Sequence, residues 1–236
     1  MTLKSRLGRL ELTIGSWVTL GHSSIAEIMA AAGFDWLVLD MEHSVLELSD
    51  VQAIIQVLDG QQCPAIVRLT SNHPDQIKRV MDAGATGIMV PMIKSAADAK
   101  AAVESVYYPP RGQRGVGLAR AQGYGTSFQA YRQWLDDNAV IVVMIEHVDA
   151  VKAIDQILAV PGIDAYIIGP YDLSGSMGRP GDLVEHARDA RIGRRVVDQH
   201  QPIAGFRVRE HALDAAAHVV RSVVDRHDDV DDELRG

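Results

Sequence analysis

Short apolar runs alternate with segments of helical periodicity along most of the chain. The segments between the runs place apolar residues three or four positions apart, which is the spacing of one helix face. Strands that are apolar throughout and are separated by helices predict a parallel sheet covered on both faces. The apolar runs that predict strands are Ile14–Leu20, Asp35–Asp40, Ala65–Leu69, Gly87–Met92, Ala139–Glu146, Ala165–Gly169 and Ile203–Val208. Seven such units favour an α/β fold of the closed (β/α)8 TIM-barrel type over an open sheet.

Polar residues, proline and glycine mark where several of the predicted helices begin and end. Ser24 and Ser49 each precede a Glu or Gln by three residues, which is the spacing of a capping box at a helix start. Pro74 is typical of a first helical position, and Gly84 is typical of the position just past a helix end. These signals predict helices that begin near residues 24, 49 and 74.

The eighth unit of the barrel is poorly defined. Residues 182–200 have a helical pattern before the seventh strand, but the chain after Val208 is short and acidic. Residues 210–217 could form a short helix followed by a strand over residues 218–224, or residues 210–226 could form one helix with no last strand. No linker or low-complexity segment is present. The sequence therefore predicts one barrel domain over residues 1–236, with residues 209–236 as a divergent C-terminal segment and an atypical or truncated eighth unit.

Composition and charge narrow the classes of function. The 236 residues carry 31 acidic and 23 basic side chains, a formal net charge of −8, and an acidic surface repels the phosphate backbone of nucleic acids. No apolar run approaches the roughly 18 residues that a membrane helix needs. The single cysteine, Cys63, cannot form an internal disulfide, and no signal peptide is recognisable. We therefore expect a cytoplasmic protein that binds neither nucleic acid nor membranes.

Charged residues follow four of the predicted strands. Asp40 ends the second run, Arg68 lies at the end of the third, Glu146 ends the fifth and Asp172 follows the sixth. Each residue alone is a weak signal, because a carboxylate after a strand is often only a helix cap. In a barrel, however, the carboxyl ends of the strands converge on the face where active sites lie. The pattern therefore predicts an active site built from these strand ends.

Carboxylates without cysteine ligands suit a hard divalent cation such as Mg²⁺ or Mn²⁺. With only two protein ligands, such a cation keeps open positions for water and for a chelating 2-oxo acid, whose keto group it would polarise. Arg68 would stabilise the developing enolate oxygen, and His43, oriented by Asp40, is the candidate proton shuttle. Backbone amides in the turn formed by Gly169, Pro170, Tyr171 and Asp172 are candidate ligands for the substrate carboxylate.

Six segments of the chain resemble the HpcH/HpaI aldolase family, the class II pyruvate aldolases of the phosphoenolpyruvate/pyruvate barrel superfamily. They are GFDWLVLDMEHS (33–44), AIVRL (65–69), KRVMDAGATGIMVPMI (78–93), YYPPRGQRGVG (107–117), VMIE (143–146) and IDAYIIGPYDLSGSMG (163–178). They occur in the family's order and cover most of residues 15–178. The family includes 4-hydroxy-2-oxoheptane-1,7-dioate aldolase and 2-keto-3-deoxy sugar acid aldolases.

The resemblance implies a role for each matched position. Glu146 and Asp172 would bind a divalent cation, which in this family is Mg²⁺, Mn²⁺ or Co²⁺. Arg68 would bind the keto oxygen of pyruvate or a related 2-oxo acid, and the second substrate would be an aldehyde. His43 with Asp40 would form the acid–base unit. The implied reaction is the cleavage or formation of a 4-hydroxy-2-oxo acid.

Asp82 matches the position at which the family places a carboxylate near the active site of a neighbouring subunit. The resemblance therefore implies a homo-oligomer, in this family a hexamer. The chain departs from the family pattern at Met144, where many members have Gln, and after Val208, which weakens the expectation of a full hexamer.

The sequence is compatible with two other functions. The first is a CoA-independent citrate-forming enzyme or another lyase of the same superfamily. The second is a non-catalytic paralogue that acts as a binding or structural subunit.

Overall fold

The computed structural model describes residues 1–182 and 204–205 of the chain. The helices are α1 Leu3–Gly8, α2 Ser23–Ala31, α3 Leu48–Gly60, α4 Pro74–Ala83, α5 Ala96–Val106, α6 Phe128–Asn138, α7 Val148–Lys152, α8 Ile154–Leu158 and α9 Pro170–Ser176, with a 3₁₀ helix at Arg120–Gly125. The strands are β1 Gly15–Val18, β2 Trp36–Asp40, β3 Ala65–Arg68, β4 Gly87–Val90, β5 Val140–Ile145, β6 Ala165–Ile168 and β7 Ala204–Gly205. The divergent segment 209–236 and nearly all of the helix predicted over residues 182–200 lie outside the described residues.

The strands form one sheet in the order β1 to β7, and every neighbouring pair is parallel. The predicted strands β1 to β6 are confirmed, and the observed strands end up to two residues inside the predicted limits. In β7, Ala204 and Gly205 pair with Ala165 and Tyr166 of β6, inside the predicted seventh strand. This alternation of parallel strands and helices confirms the (β/α)-barrel class, while the eighth unit stays a prediction.

The sheet has two faces, because side chains two positions apart in a strand share a face. One face packs against the helices in a large aliphatic core. The other face forms the interior of the barrel, where a second cluster contains Trp36, Val38, Ile66, Met89, Val140, Val142, Met144 and Ala165. The inward direction of strands β2 to β6 is therefore known, and it determines which of the residues at their ends point into the site.

Helix α1 was not predicted, and it lies at the amino-terminal end of the barrel. Its Leu3 belongs to the inner cluster, and its Lys4 Nζ contacts the carbonyl of Ala139 at 2.7 Å and Asp164 Oδ1 at 2.7 Å. Both partners flank strands β5 and β6 at their starts. The helix thus covers the end of the barrel opposite to the carboxyl ends of the strands.

The two predicted capping boxes are wrong. Helix α2 begins at Ser23, and the cap is His22, whose Nδ1 accepts the N–H of Ser24 at 3.2 Å. Helix α3 begins at Leu48 and is capped by Glu47 and Asp50, which exchange hydrogen bonds with each other's backbone N–H groups. Both helices start two residues earlier than a serine cap would place them, because other acceptors take the capping position. By contrast, helix α4 begins at Pro74 and ends at Ala83, and Gly84 follows it in the left-handed conformation, as predicted.

In the described part of the chain, no helix has the length and apolar character needed to cross a bilayer.

Candidate active site

Asp40, Arg68 and Glu146 lie at the carboxyl ends of β2, β3 and β5. Each continues the inward-facing positions of its own strand, so all three side chains point into the barrel. Asp40 and Arg68 are direct partners in the register of β2 and β3. Their exposed fractions are 4% for Asp40, 8% for Arg68 and 1% for Glu146. Charges this deeply buried require partners, and their contacts define the site.

The Arg68 guanidinium is held by two carboxylates and one aromatic ring. Its Nε lies 2.6 Å from Glu42 Oε2, an ion pair whose angle does not meet hydrogen-bond geometry. Its Nη1 donates to Asp40 Oδ2 at 3.4 Å, and its carbon Cζ lies 5.4 Å from the ring centre of Trp17. The position of this positive charge is therefore fixed before any substrate binds.

The Asp40 carboxylate holds the backbone of the following loop. Its Oδ1 accepts the N–H groups of Glu42 at 3.0 Å and of His43 at 3.1 Å. In the described residues no hydrogen bond joins Asp40 to the His43 imidazole, which is exposed. The structure thus differs from the expectation that Asp40 orients the imidazole, because both Asp40 oxygens already serve the loop amides and Arg68. The acid–base role of His43 stays a prediction.

Glu146 presents one engaged and one unengaged oxygen. Its Oε1 accepts the backbone N–H of Met92 at 2.6 Å, whereas its buried Oε2 has no hydrogen-bond partner among the described residues. Burial raises the pKa of the Glu146 carboxyl, and the charges of Glu42 and Asp172 raise it further, against the lowering effect of the Met92 amide. A buried acceptor without a partner is unfavourable unless a ligand binds it.

Asp172 lies in the first turn of α9 and is exposed. Its charge raises the pKa of both Glu42 and Glu146, which places it within electrostatic reach of the strand-end cluster. Burial is the largest cause of the raised Glu42 pKa, and the Arg68 charge opposes it. The predicted metal ligands Glu146 and Asp172 are thus parts of one charge cluster.

This cluster carries an excess of negative charge. Asp40, Glu42, Glu146 and Asp172 are four carboxylates, and Arg68 is one guanidinium, so the formal charge is −3 when all are ionised. No group of three or more Asp, Glu, His or Cys side chains is arranged to hold a metal in residues 1–182 and 204–205. A cation here would take two protein ligands and complete its shell with water and substrate. The unpartnered Glu146 oxygen and the negative excess fit such a cation.

The turn from Gly169 to Asp172 offers fewer donors than predicted. The Gly169 N–H donates to the carbonyl of Ile145 at 3.2 Å as part of the sheet, and Pro170 has no N–H. Only the amides of Tyr171 and Asp172 remain in this turn as candidate ligands for a substrate carboxylate. A direct amide contact from Gly169 or Pro170 is therefore ruled out.

Asp82 is paired within its own chain. The Arg114 side chain is fully buried and donates to Asp82 Oδ1 at 2.5 Å, to Tyr131 Oη at 3.1 Å and to the carbonyl of Val106 at 3.4 Å. Asp82 lies near the end of α4, the helix that leads into β4 at the opposite end of the barrel from Arg68 and Glu146. A role for Asp82 beside a neighbouring subunit's active site stays a prediction.

Three residues of the site were not predicted. Glu42 follows Asp40 in the sequence, but nothing in the pattern showed that it pairs with Arg68. Trp17 stands inside the first apolar run, where it is indistinguishable from core. Met92 contributes a backbone N–H, for which side-chain chemistry gives no signal.

The parallel (β/α) fold and the carboxylate-rich strand ends are typical of a (β/α)-barrel enzyme. The family model described as HpcH/HpaI aldolase/citrate lyase matches residues 13–223, and the chain belongs to that family. Its members are metal-dependent aldolases and lyases, and this chain is an enzyme of the aldolase type.

Curated relatives and a solved structure agree on this family. The chain is 40% identical to a hydroxypyruvate/pyruvate aldolase of Roseovarius nubinhibens over 183 residues, 77% of this chain and 71% of the relative. It is 39% identical to a 4-hydroxy-2-oxo-heptane-1,7-dioate aldolase of Escherichia coli over 186 residues, 78% of this chain and 71% of the relative. A crystal structure of an HpcH/HpaI aldolase/citrate lyase family protein from Burkholderia cenocepacia aligns with a TM-score of 0.73 and 35% identity. That alignment covers 82% of this chain and 80% of the other.

Proposed function

We propose that the protein is a class II aldolase that forms or cleaves 4-hydroxy-2-oxo acids through the enolate of pyruvate or a close 2-oxo acid, with an aldehyde as the second substrate. The observation that carries this proposal is the buried, unpartnered Oε2 of Glu146, at the same end of the barrel as the fixed Arg68 guanidinium. The names of the relatives support the substrate class.

Glu146 and Asp172 are the residues that would hold a divalent cation, which we propose to be Mg²⁺, Mn²⁺ or Co²⁺. When bound, the cation would supply Lewis-acid polarisation of the keto group. Asp40 and Glu42 are already committed to Arg68 and to the loop backbone, which leaves the other two carboxylates available.

Arg68 would stabilise the negative charge that develops on the enolate oxygen. Its guanidinium is buried and is held by Asp40 at Nη1 and by Glu42 at Nε, so little reorganisation is needed. Loss of one such preorganised donor typically costs about 10²–10³ in rate. The amides of Tyr171 and Asp172 would bind the substrate carboxylate, and the exposed His43 would transfer a proton at the site's entrance.

Deuterium exchange into the methyl group of pyruvate tests the enolate step without the aldehyde. We expect exchange with Mg²⁺, Mn²⁺ or Co²⁺ and its loss after EDTA treatment, with recovery when the metal is restored. Trapping of pyruvate on the protein by borohydride, which reports a Schiff base, would contradict this mechanism. A panel of aldehydes then identifies the second substrate. In a separate assay without CoA, cleavage of citrate to oxaloacetate and acetate, the reverse of citrate formation, would favour the citrate-forming alternative.

A further inference from the structure

Gly169 leaves room for the Glu146 carboxylate. A Cβ placed on Gly169 would lie 2.6 Å from Glu146 Oε2 and 2.9 Å from Glu146 Cβ. Both distances are shorter than carbon atoms tolerate, and the second involves an atom that rotation of the Glu146 side chain cannot move away. The Gly169 backbone has φ −96° and ψ 93°, which other residues also adopt. The absence of a side chain, and not a special backbone shape, is therefore what this position requires.

Met92 holds the opposite side of the same carboxylate. Its backbone has a φ of +53°, in the left-handed region that is unfavourable for a residue with a side chain. In that conformation its N–H donates to Glu146 Oε1 in a short hydrogen bond of 2.6 Å. Unfavourable backbone conformations persist where the surrounding structure imposes them, often at functional sites.

We propose that Gly169 and Met92 are positioning residues for Glu146, which they hold with Oε1 engaged and Oε2 free for the cation. Met92 acts through its backbone N–H, and Gly169 acts through its missing side chain. This proposal rests on the proposed function in one respect, the binding of the cation by Glu146. It assigns Gly169 to the metal centre and not to substrate, since its own N–H is used by the sheet.

Titration with Mn²⁺, with free Mn²⁺ followed by electron paramagnetic resonance, measures the effect directly. Gly169→Ala displaces Glu146, and we expect Mn²⁺ affinity to fall about 10- to 100-fold, as for other changes outside the ligand set. The matched control is Gly175→Ala in α9, where a Cβ would meet nothing within 4 Å, and its affinity should stay within about twofold of the wild type.

Met92→Asn tests the second residue. Asn tolerates the left-handed conformation and keeps the backbone N–H, so we expect Mn²⁺ affinity within about threefold of the wild type. A tenfold loss would show that the methionine side chain, not the amide, is what matters, and would overturn this part of the proposal.

The outcomes separate this proposal from the proposed function. If the wild type binds no Mn²⁺, both fail; if the wild type binds and Gly169→Ala binds equally well, only the positioning proposal fails. If Gly169→Ala does not fold, the same change is made together with Glu146→Gly, which removes every Glu146 atom that the new Cβ meets. Recovery of folding in that double variant supports the steric contact, and failure to recover overturns it.

Discussion

The structure changes the expected effect of removing the Arg68 charge, because it adds a loss of stability to the loss of activity. From the sequence, loss of Arg68 should abolish turnover and leave the fold intact. In the structure, Arg68 is 8% exposed and is the cation that faces both Asp40 and Glu42. Removing one partner of a buried ion pair leaves the other charge uncompensated and costs about 3–5 kcal/mol. Because the Glu42 side chain keeps 17% exposure, we expect the lower end of that range for Arg68→Met.

A cost of about 3 kcal/mol lowers the melting temperature of a domain of this size by roughly 6–12 °C. The loss should also depend on pH. Burial raises the pKa of Glu42 above its ordinary value of 4.5, and the Arg68 charge opposes that rise, so the pKa of Glu42 rises further in the variant. A carboxyl with a raised pKa in the folded state binds more protons there than in the unfolded state. The variant is therefore least stable relative to the wild type near pH 8 and recovers as the pH falls towards 5.

Thermal unfolding followed by circular dichroism in EDTA, at several pH values between 5 and 8, measures this difference. Arg68→Lys is the control: it keeps a positive charge and should recover part of the stability, but not pyruvate exchange, because it lacks the guanidinium fork. The double variant Arg68→Met/Glu42→Gln should recover stability at pH 8. A deficit that is constant across the pH range, or no deficit, would refute the electrostatic reasoning.

Four further results are expected. Glu146→Gln should raise the free energy of unfolding of the metal-free protein at pH 8 by about 0.5–2 kcal/mol, because it removes a charge that burial and neighbouring acids disfavour. The same substitution should abolish Mn²⁺ binding. Thermal unfolding checks the first effect, and Mn²⁺ titration checks the second. His73→Asp should add about 0.5–1 kcal/mol in denaturant unfolding, since His73 caps α4 and Asp is a better cap; a loss would contradict it. Arg114→Met should cost about 3 kcal/mol by the same measurement, because it strands Asp82, and unchanged stability would refute that pairing. Light scattering should show an oligomer looser or smaller than a hexamer, and a tight hexamer would contradict this.

The residues of the site that point into the barrel could be predicted because the two-residue alternation along a strand positions both the inner apolar side chains and the charged side chains at the strand end. Alternation along an apolar strand determines which terminal residue points into the barrel, so Asp40, Arg68 and Glu146 follow from the same pattern that predicts the strands. The parallel order of the strands then brings their carboxyl ends to one face. These two rules were sufficient to find three of the buried charges.

The remaining parts of the site depend on contacts that no local pattern encodes. The pairing of Glu42 with Arg68 depends on the path of the loop after β2, and the contact of Trp17 with Arg68 joins residues of two different strands, β1 and β3. The Met92 contact depends on a backbone conformation that a methionine seldom adopts. In the same way, the caps of α2 and α3 are His22 and Glu47 and not the predicted Ser24 and Ser49. Several polar residues near a helix start compete for the same N–H groups.

The interior of the barrel changes from apolar to charged over a short distance. Met144 belongs to the apolar inner cluster, and Glu146 lies one inward position further along the same strand. Burial beside that apolar layer lowers the local dielectric and raises the pKa of Glu146. The Glu146 Oε2 atom has no hydrogen-bond partner among the described residues. The same low dielectric strengthens the attraction of the carboxylates for a cation. Because the proposed cation would require the ionised form of Glu146, its binding would release a proton wherever the pH lies below the raised pKa. Metal affinity should therefore increase with pH up to that value, as a direct consequence of placing the proposed metal ligand above an apolar core.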